Sequence, residues 1–219
     1  MSSLLKKWQS QGSQPQESFD WSSSKQNWID AFPTHKTFIA GLPSPIGRKE
    51  VRKICQSAKH SIIEKFLAVM VWGYGDRGYG PYRVTKMLSQ PHAENVLQTV
   101  YDLCRDSKPK EAYLYLMQNR IKNLGPSFGT KFLSFCTPKK VGAPILDSFV
   151  GMWLKDFAAK DFDGVGLNYQ NWNFKTYSRY WDWVKEHAES FSCSPDDVEL
   201  VLFRDAEEVY SSNSKWASK

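Results

Sequence analysis

Lys131 and Asp147 are the residues of this 219-residue sequence whose types and spacing best suit chemistry. Lys131 follows the connector Leu124-Gly125-Pro126-Ser127-Phe128-Gly129, which joins a helix expected to end near Asn123 to one expected to start near Gly129. In the first turn of that second helix an ammonium would face the positive end of the helix dipole, which disfavours its charged form. A lysine that gives up its proton is a nucleophile able to form a Schiff base. The plain alternative is a solvated surface lysine, the reading that suits Lys139 and Lys140. Asp147 follows Ala143-Pro144-Ile145-Leu146 and precedes an apolar run, the position of a helix N-cap. Capping and chemistry are compatible here. An anion at a helix N-terminus is favoured by the dipole and can stabilise positive charge developing beside it, or take a proton from Lys131.

The elements that must position this pair come next. A tight connector leaves the first amides of the following helix without intrahelical partners, so Gly125, Ser127, Gly129 and Thr130 form a candidate phosphate-binding surface. Glycine permits the turn and the close approach. An ordinary corner between two helices is the alternative. A formal net charge of +6 and a pI near 9.0 agree with an anionic partner without requiring one.

Residues 1–26 are rich in Ser and Gln and read as a mostly flexible tail, parts of which Trp8, Phe19, Trp21 and Trp28 can pin to the body. The prolines and glycines of residues 32–47 indicate a surface connection. From Val51 to Trp72 apolar residues recur at helical spacing, with Gly73 as the expected stop. The segment GYGDRGYGPYR then reads either as a loop between helices or as a ligand-facing loop whose aromatic rings stack and whose arginines meet phosphates. Helices are expected over residues 92–107 and 109–123, after Asp147 as far as Phe157, over 171–190, and from Pro195 with Ser194 as its cap. No alternating apolar pattern supports a strand, so the fold class is all-α.

The four cysteines are scattered, which argues against zinc or an iron-sulfur cluster, and no cofactor is expected. Neither a signal peptide nor a membrane span is evident, and free thiols suit a reducing cytoplasm.

The stretch from Ile121 to Trp153, with its connector, Lys131 and Asp147, resembles the helix-hairpin-helix DNA glycosylases, in particular the 8-oxoguanine glycosylase-like branch. Ser127 stands where that family often has Gly, and the Pro lies three rather than two positions before the Asp. The resemblance implies a two-lobed fold over residues 27–219, with the hairpin at 121–137 and without the additional β-rich domain of larger members. It implies a monomer that acts on double-stranded DNA, with no obligate protein partner. Lys131 would be the nucleophile, Asp147 would complete the site, and a modified base would be flipped out and excised to leave an abasic site. Trp72, Tyr74, Tyr79, Tyr82 and Trp153 are candidate walls for the base, each with core packing as its plain reading. Two substrates follow from the resemblance: glucosylated 5-hydroxymethylcytosine in phage DNA, which short bacterial relatives remove as antiviral defence, and 8-oxoguanine, removed in DNA repair. A non-catalytic helix-hairpin-helix module, with Lys131 merely touching phosphate, is the alternative of another class.

Overall fold

The computed structural model describes Lys6, residues 18–162 and residues 167–211. Trp8 and, apart from Lys6, the rest of the expected tail before residue 18 lie outside the described residues. Eleven α-helices and one two-stranded ladder are present among them. Strand β1 (Ser18–Phe19) pairs antiparallel with β2 (Ile46–Gly47), Phe19 opposite Ile46. Between them lie α1 (Lys25–Ala31) and α2 (Lys36–Ala40).

The expectation of a tail as far as residue 26 is corrected over residues 18–26. Trp21 is fully buried and its indole N–H donates to the Pro43 carbonyl at 2.7 Å, while Ser24 Oγ donates to the carbonyls of Trp21 and Gly75. One large aromatic with a satisfied polar edge contributes enough burial to order a polar neighbourhood.

Helices α3 (Arg48–Gln56) and α4 (Ile62–Tyr74) replace the single run expected from Val51 to Trp72. The break is set by a capping box. Ser61 Oγ accepts from the Glu64 amide at 3.2 Å, and Glu64 Oε2 accepts from the Ser61 amide at 3.0 Å. Helix α4 is buried almost all round, as a helix at the centre of a core must be. It runs through Gly73 and stops at Gly75, whose φ of 56° is available to glycine without strain. After a short turn, α5 (Gly80–Leu88) takes up the second half of the glycine-tyrosine segment that had been expected to be loop throughout. Pro81 in its first turn explains the start.

Helices α6 (Ala93–Arg105), α7 (Pro109–Gln118) and α8 (Pro126–Cys136) follow, then α9 (Ser148–Phe157), α10 (Phe174–Ser190) and α11 (Pro195–Ser211). One lobe packs α3, α5, α6 and α8 around α4, with α7 laid on α6 and α8; the other packs α10 and α9 on α11. Helix α10 also lies against α7, so the two lobes are joined along one side. A second tie runs from Arg48 at the start of α3 to Glu199 on α11, a bidentate pair whose side chains are almost wholly buried. The fold is thus all-α and two-lobed, with the short β1–β2 ladder as its sole described sheet. No described helix is long and apolar enough to cross a membrane.

Candidate active site

The hairpin is α7, the connector 119–125 and α8. The sequence places the connector late, by five residues at the end of α7 and by three at the start of α8, because Pro126 starts α8 and Gly125 is its extended N-cap. Asn123 takes a left-handed φ of 73°, which asparagine tolerates better than most residues. The connector is pinned from both sides. The Gln90 amide accepts from Lys122 N at 2.9 Å and donates to its carbonyl at 3.2 Å, and the Trp172 indole donates to the Leu124 carbonyl at 3.3 Å.

This start makes Lys131 the sixth residue of α8, not a first-turn residue. The helix-end argument for its reactivity therefore does not apply, because the dipole's effect fades beyond the first turn. Its environment is instead set by tertiary contacts. Lys131 is 8% exposed, and its Nζ lies 3.1 Å from Asp147 Oδ2 and 5.8 Å from the ring centres of both Trp72 and Phe128. Asp147, 7% exposed, is also the N-cap of α9, with Oδ1 accepting from the Val150 amide at 3.1 Å. One carboxylate thus starts a helix with one oxygen and holds the lysine with the other.

Thr130 makes a parallel rung next to this pair. Its Oγ1 accepts from the Leu146 amide at 3.0 Å and donates to the Ser127 carbonyl at 3.2 Å. Thr130 is fully buried, so the expectation that it faces DNA is corrected: it holds the strand of chain before Asp147 against α8. The same loop is fixed from α10, where the Tyr180 hydroxyl donates to the Ile145 carbonyl at 3.0 Å. Gly129 is corrected likewise. A Cβ there would stand 2.3 Å from Trp172 Cη2, so the missing side chain admits Trp172, not a phosphate. Gly125 has no atom near its absent Cβ, and the amides of Ser127 and Phe128 precede the first helical bond, Gly129 N–H to the Gly125 carbonyl. These remain the groups of the hairpin able to meet an anion.

Lys131, Asp147 and Ser127 line one cavity of about 410 Å³ between the two lobes. Trp72 and Tyr74 line it as well, Tyr74 stacking on Phe128 with ring centres 4.3 Å apart. Gly73 lets these walls close, since a Cβ there would stand 2.8 Å from Phe128 Cε1 and 3.4 Å from Lys131 Cδ. Three expected wall residues do not reach the cavity. Tyr79 and Tyr82 are exposed beside Arg83 and Lys86, and Trp153 is a core residue whose indole donates to Asp205 at 2.7 Å. Sequence reading missed Phe19 and Asp20 from the presumed tail, Arg48, Phe128, Phe149, and Phe203 and Glu207 from the last helix. A lone Phe or Asp in a polar stretch carries no periodic signal; only the S-x-x-E cap ahead of α4 and the Pro at α8 were there to be read.

An all-α two-lobed fold, a helical hairpin and a buried Lys-Asp pair in the cleft together define a helix-hairpin-helix DNA glycosylase architecture. Residues 12–203 match the family described as "Putative 8-oxoguanine DNA glycosylase OGG-like protein", and the chain belongs to that family. Among curated proteins and among solved structures nothing matches the chain significantly.

Proposed function

We propose that this protein excises a modified base from double-stranded DNA, with Lys131 as nucleophile and Asp147 as its proton acceptor and electrostatic partner. The observation that carries the reading is the 3.1 Å contact between the Lys131 amine and the Asp147 carboxylate, both nearly buried on the wall of an interlobe cavity. A base in a duplex reaches such a pair only by extrusion. Ser127 and Phe128 amides at the start of α8 hold a backbone phosphate while the base enters.

In the reaction, Asp147 takes a proton from the Lys131 ammonium and the freed amine attacks C1′. The C1′–N bond breaks with its electron pair leaving on the base, which takes the proton held by Asp147. The new secondary ammonium then passes one of its two protons to O4′ as its electron pair opens the C1′–O4′ bond, leaving a protonated Schiff base. Water hydrolyses it to an abasic site, or β-elimination cleaves the strand first. Ionised again once that proton has passed to the base, Asp147 stabilises the positive charge left on the sugar carbon and the nitrogen.

The favoured substrate is glucosylated 5-hydroxymethylcytosine in phage DNA, which makes the protein a cytoplasmic, monomeric defence enzyme. Supporting this is the lining of the cavity, in which aromatic faces from Phe19, Trp72, Tyr74 and Phe128 stand beside carboxylates of Asp20, Asp76 and Glu207. Such walls suit the apolar face and the hydroxyls of a sugar. The family description favours a second substrate, 8-oxoguanine.

Duplexes containing either base, or normal bases only, are incubated with the protein and treated with alkali to reveal abasic sites. Product on one modified duplex, absent with Lys131→Gln, is expected, and a borohydride-trapped covalent adduct should disappear with the same variant. Binding to all duplexes with product on none would instead mark a non-catalytic DNA-binding module.

A further inference from the structure

The segment assigned to a tail in the sequence supplies a wall of the cavity, and its position is over-determined. Phe19 is held by its pairing with Ile46, Trp21 by burial and its bond to Pro43, and Ser24 by its bond to Gly75 at the end of α4. Asp20 lies between these anchors and lines the cavity beside Phe19. Its Oδ1 accepts from Ser44 Oγ at 2.6 Å and from the Ser22 amide at 2.9 Å. Ser44 Oγ in turn accepts from the Trp21 amide at 3.4 Å, which orients its own proton toward Asp20. Both of these bonds fall on Oδ1; Oδ2 is left with no bond from Ser44 or the Ser22 amide, and the Ser22 hydroxyl beside the carboxylate further favours its charged form. The carboxylate is therefore fixed by one oxygen and open at the other.

We propose that Asp20 reads the extruded base, its Oδ2 accepting a hydrogen bond from an exocyclic amino group while the Phe19 ring forms the adjoining face. This rests on the reading that the cavity receives a base. The chemistry selects a class: a carboxylate accepts from an amino-bearing edge and is repelled by a carbonyl oxygen in the same place. Cytosine-derived and guanine-derived bases qualify, whereas uracil-derived bases and hypoxanthines, with oxygen or hydrogen where the amino group stood, do not. Asp147 cannot serve in this way, since both its oxygens are engaged by Lys131 and Val150. The bonds from Ser44 and Ser22 also hold the Asp20 carboxyl down at about 2, so it is an acceptor at any physiological pH.

The test uses binding, so that it does not depend on catalysis. Duplexes carry one uncleavable 2′-fluoro nucleotide whose base is either amino-bearing or a counterpart with oxygen or hydrogen in place of the amino group. Glucosylated 5-hydroxymethylcytosine is paired with the matching uracil, and 8-oxoguanine with 8-oxohypoxanthine. The wild-type protein is expected to bind the amino-bearing member of the pair it recognises on the order of tenfold more tightly. Asp20→Ala should erase that ratio and Ser44→Ala should reduce it. Asp20→Asn, which keeps the bonds at Oδ1 and puts an amide N–H₂ where Oδ2 was, should shift preference toward the uracil member of the cytosine pair. An unchanged ratio in both Asp20 variants, with thermal unfolding as in the wild type, overturns the proposal. A wild-type protein that prefers no modified duplex to a normal one overturns the proposed function and this inference together. A retained binding preference with no excision overturns the catalytic reading alone and leaves Asp20 in its role.

Discussion

Asp147 carries two tasks whose separation is testable at the level of single atoms. Oδ1 caps α9 and Oδ2 faces Lys131. Asparagine caps a helix about as well as aspartate, whereas alanine does not, a difference of about 1 kcal/mol. Asp147→Asn is therefore expected to unfold in urea near the wild-type midpoint, and Asp147→Ala to lose about 1 kcal/mol more. Both should lose excision, by on the order of 10²–10³-fold in single-turnover assays, because both remove the anion. Excision that persists in Asp147→Asn would show that the charge is dispensable and that the residue is only a cap. Capping was legible in the sequence, from the apolar run that follows. The lysine contact was legible only through the resemblance, since nothing in a spacing of 16 residues forces two side chains to meet.

At the scale of elements, two glycines that look alike in the sequence serve different interfaces. Gly73 lies where α4 meets α8, with Phe128 and Lys131 against its missing side chain. Gly129 lies where the hairpin meets Trp172. Alanine at residue 73 pushes the Phe128 ring, one wall of the cavity, which lies beside Lys131. Since small misplacements of a reacting group are costly, Gly73→Ala should slow single-turnover excision by about tenfold to 100-fold. Gly129→Ala displaces a large aromatic and should show mainly as lost stability, about 1–3 kcal/mol in urea. The reverse ranking, with excision spared in Gly73→Ala, would mean that α8 can slide without disturbing Lys131. The helices themselves were largely readable from apolar spacing, but their ends were not. The long run from Val51 hid a break because Ser61 and Glu64 cap a new helix without interrupting the apolar pattern, and the hairpin moved because Pro126 begins a helix that had been expected three residues later.

Across the whole molecule, many titratable groups are buried in their neutral forms. Burial pushes the Cys104 thiol from its ordinary 9.0 up to about 12, and raises Cys136, Tyr177 and Tyr180 well above their usual ranges. In the unfolded chain these groups ionise at ordinary values, so between the two values the folded state holds more protons than the unfolded one. Their contribution is fully present below about pH 9 and falls as pH rises toward about 12. The urea midpoint should therefore drop between about pH 9 and about pH 12, and a midpoint that is constant over this range would contradict the burial of these groups. The same burial should leave Cys55, Cys104 and Cys136 unreactive toward thiol reagents until the chain unfolds. By itself the sequence determined the all-α class, most of the helices, the hairpin and the identity of its lysine and aspartate, because these depend on local periodicity, caps and a motif contiguous in the chain. Only the tertiary structure decided that Lys131 and Asp147 touch, that Thr130 and Gly129 face inward, and that Phe19 and Asp20 wall the cavity. Those outcomes depend on which distant surfaces pack together: an isolated Phe or Asp in a polar stretch has no pattern of its own until Trp21 is buried beside it.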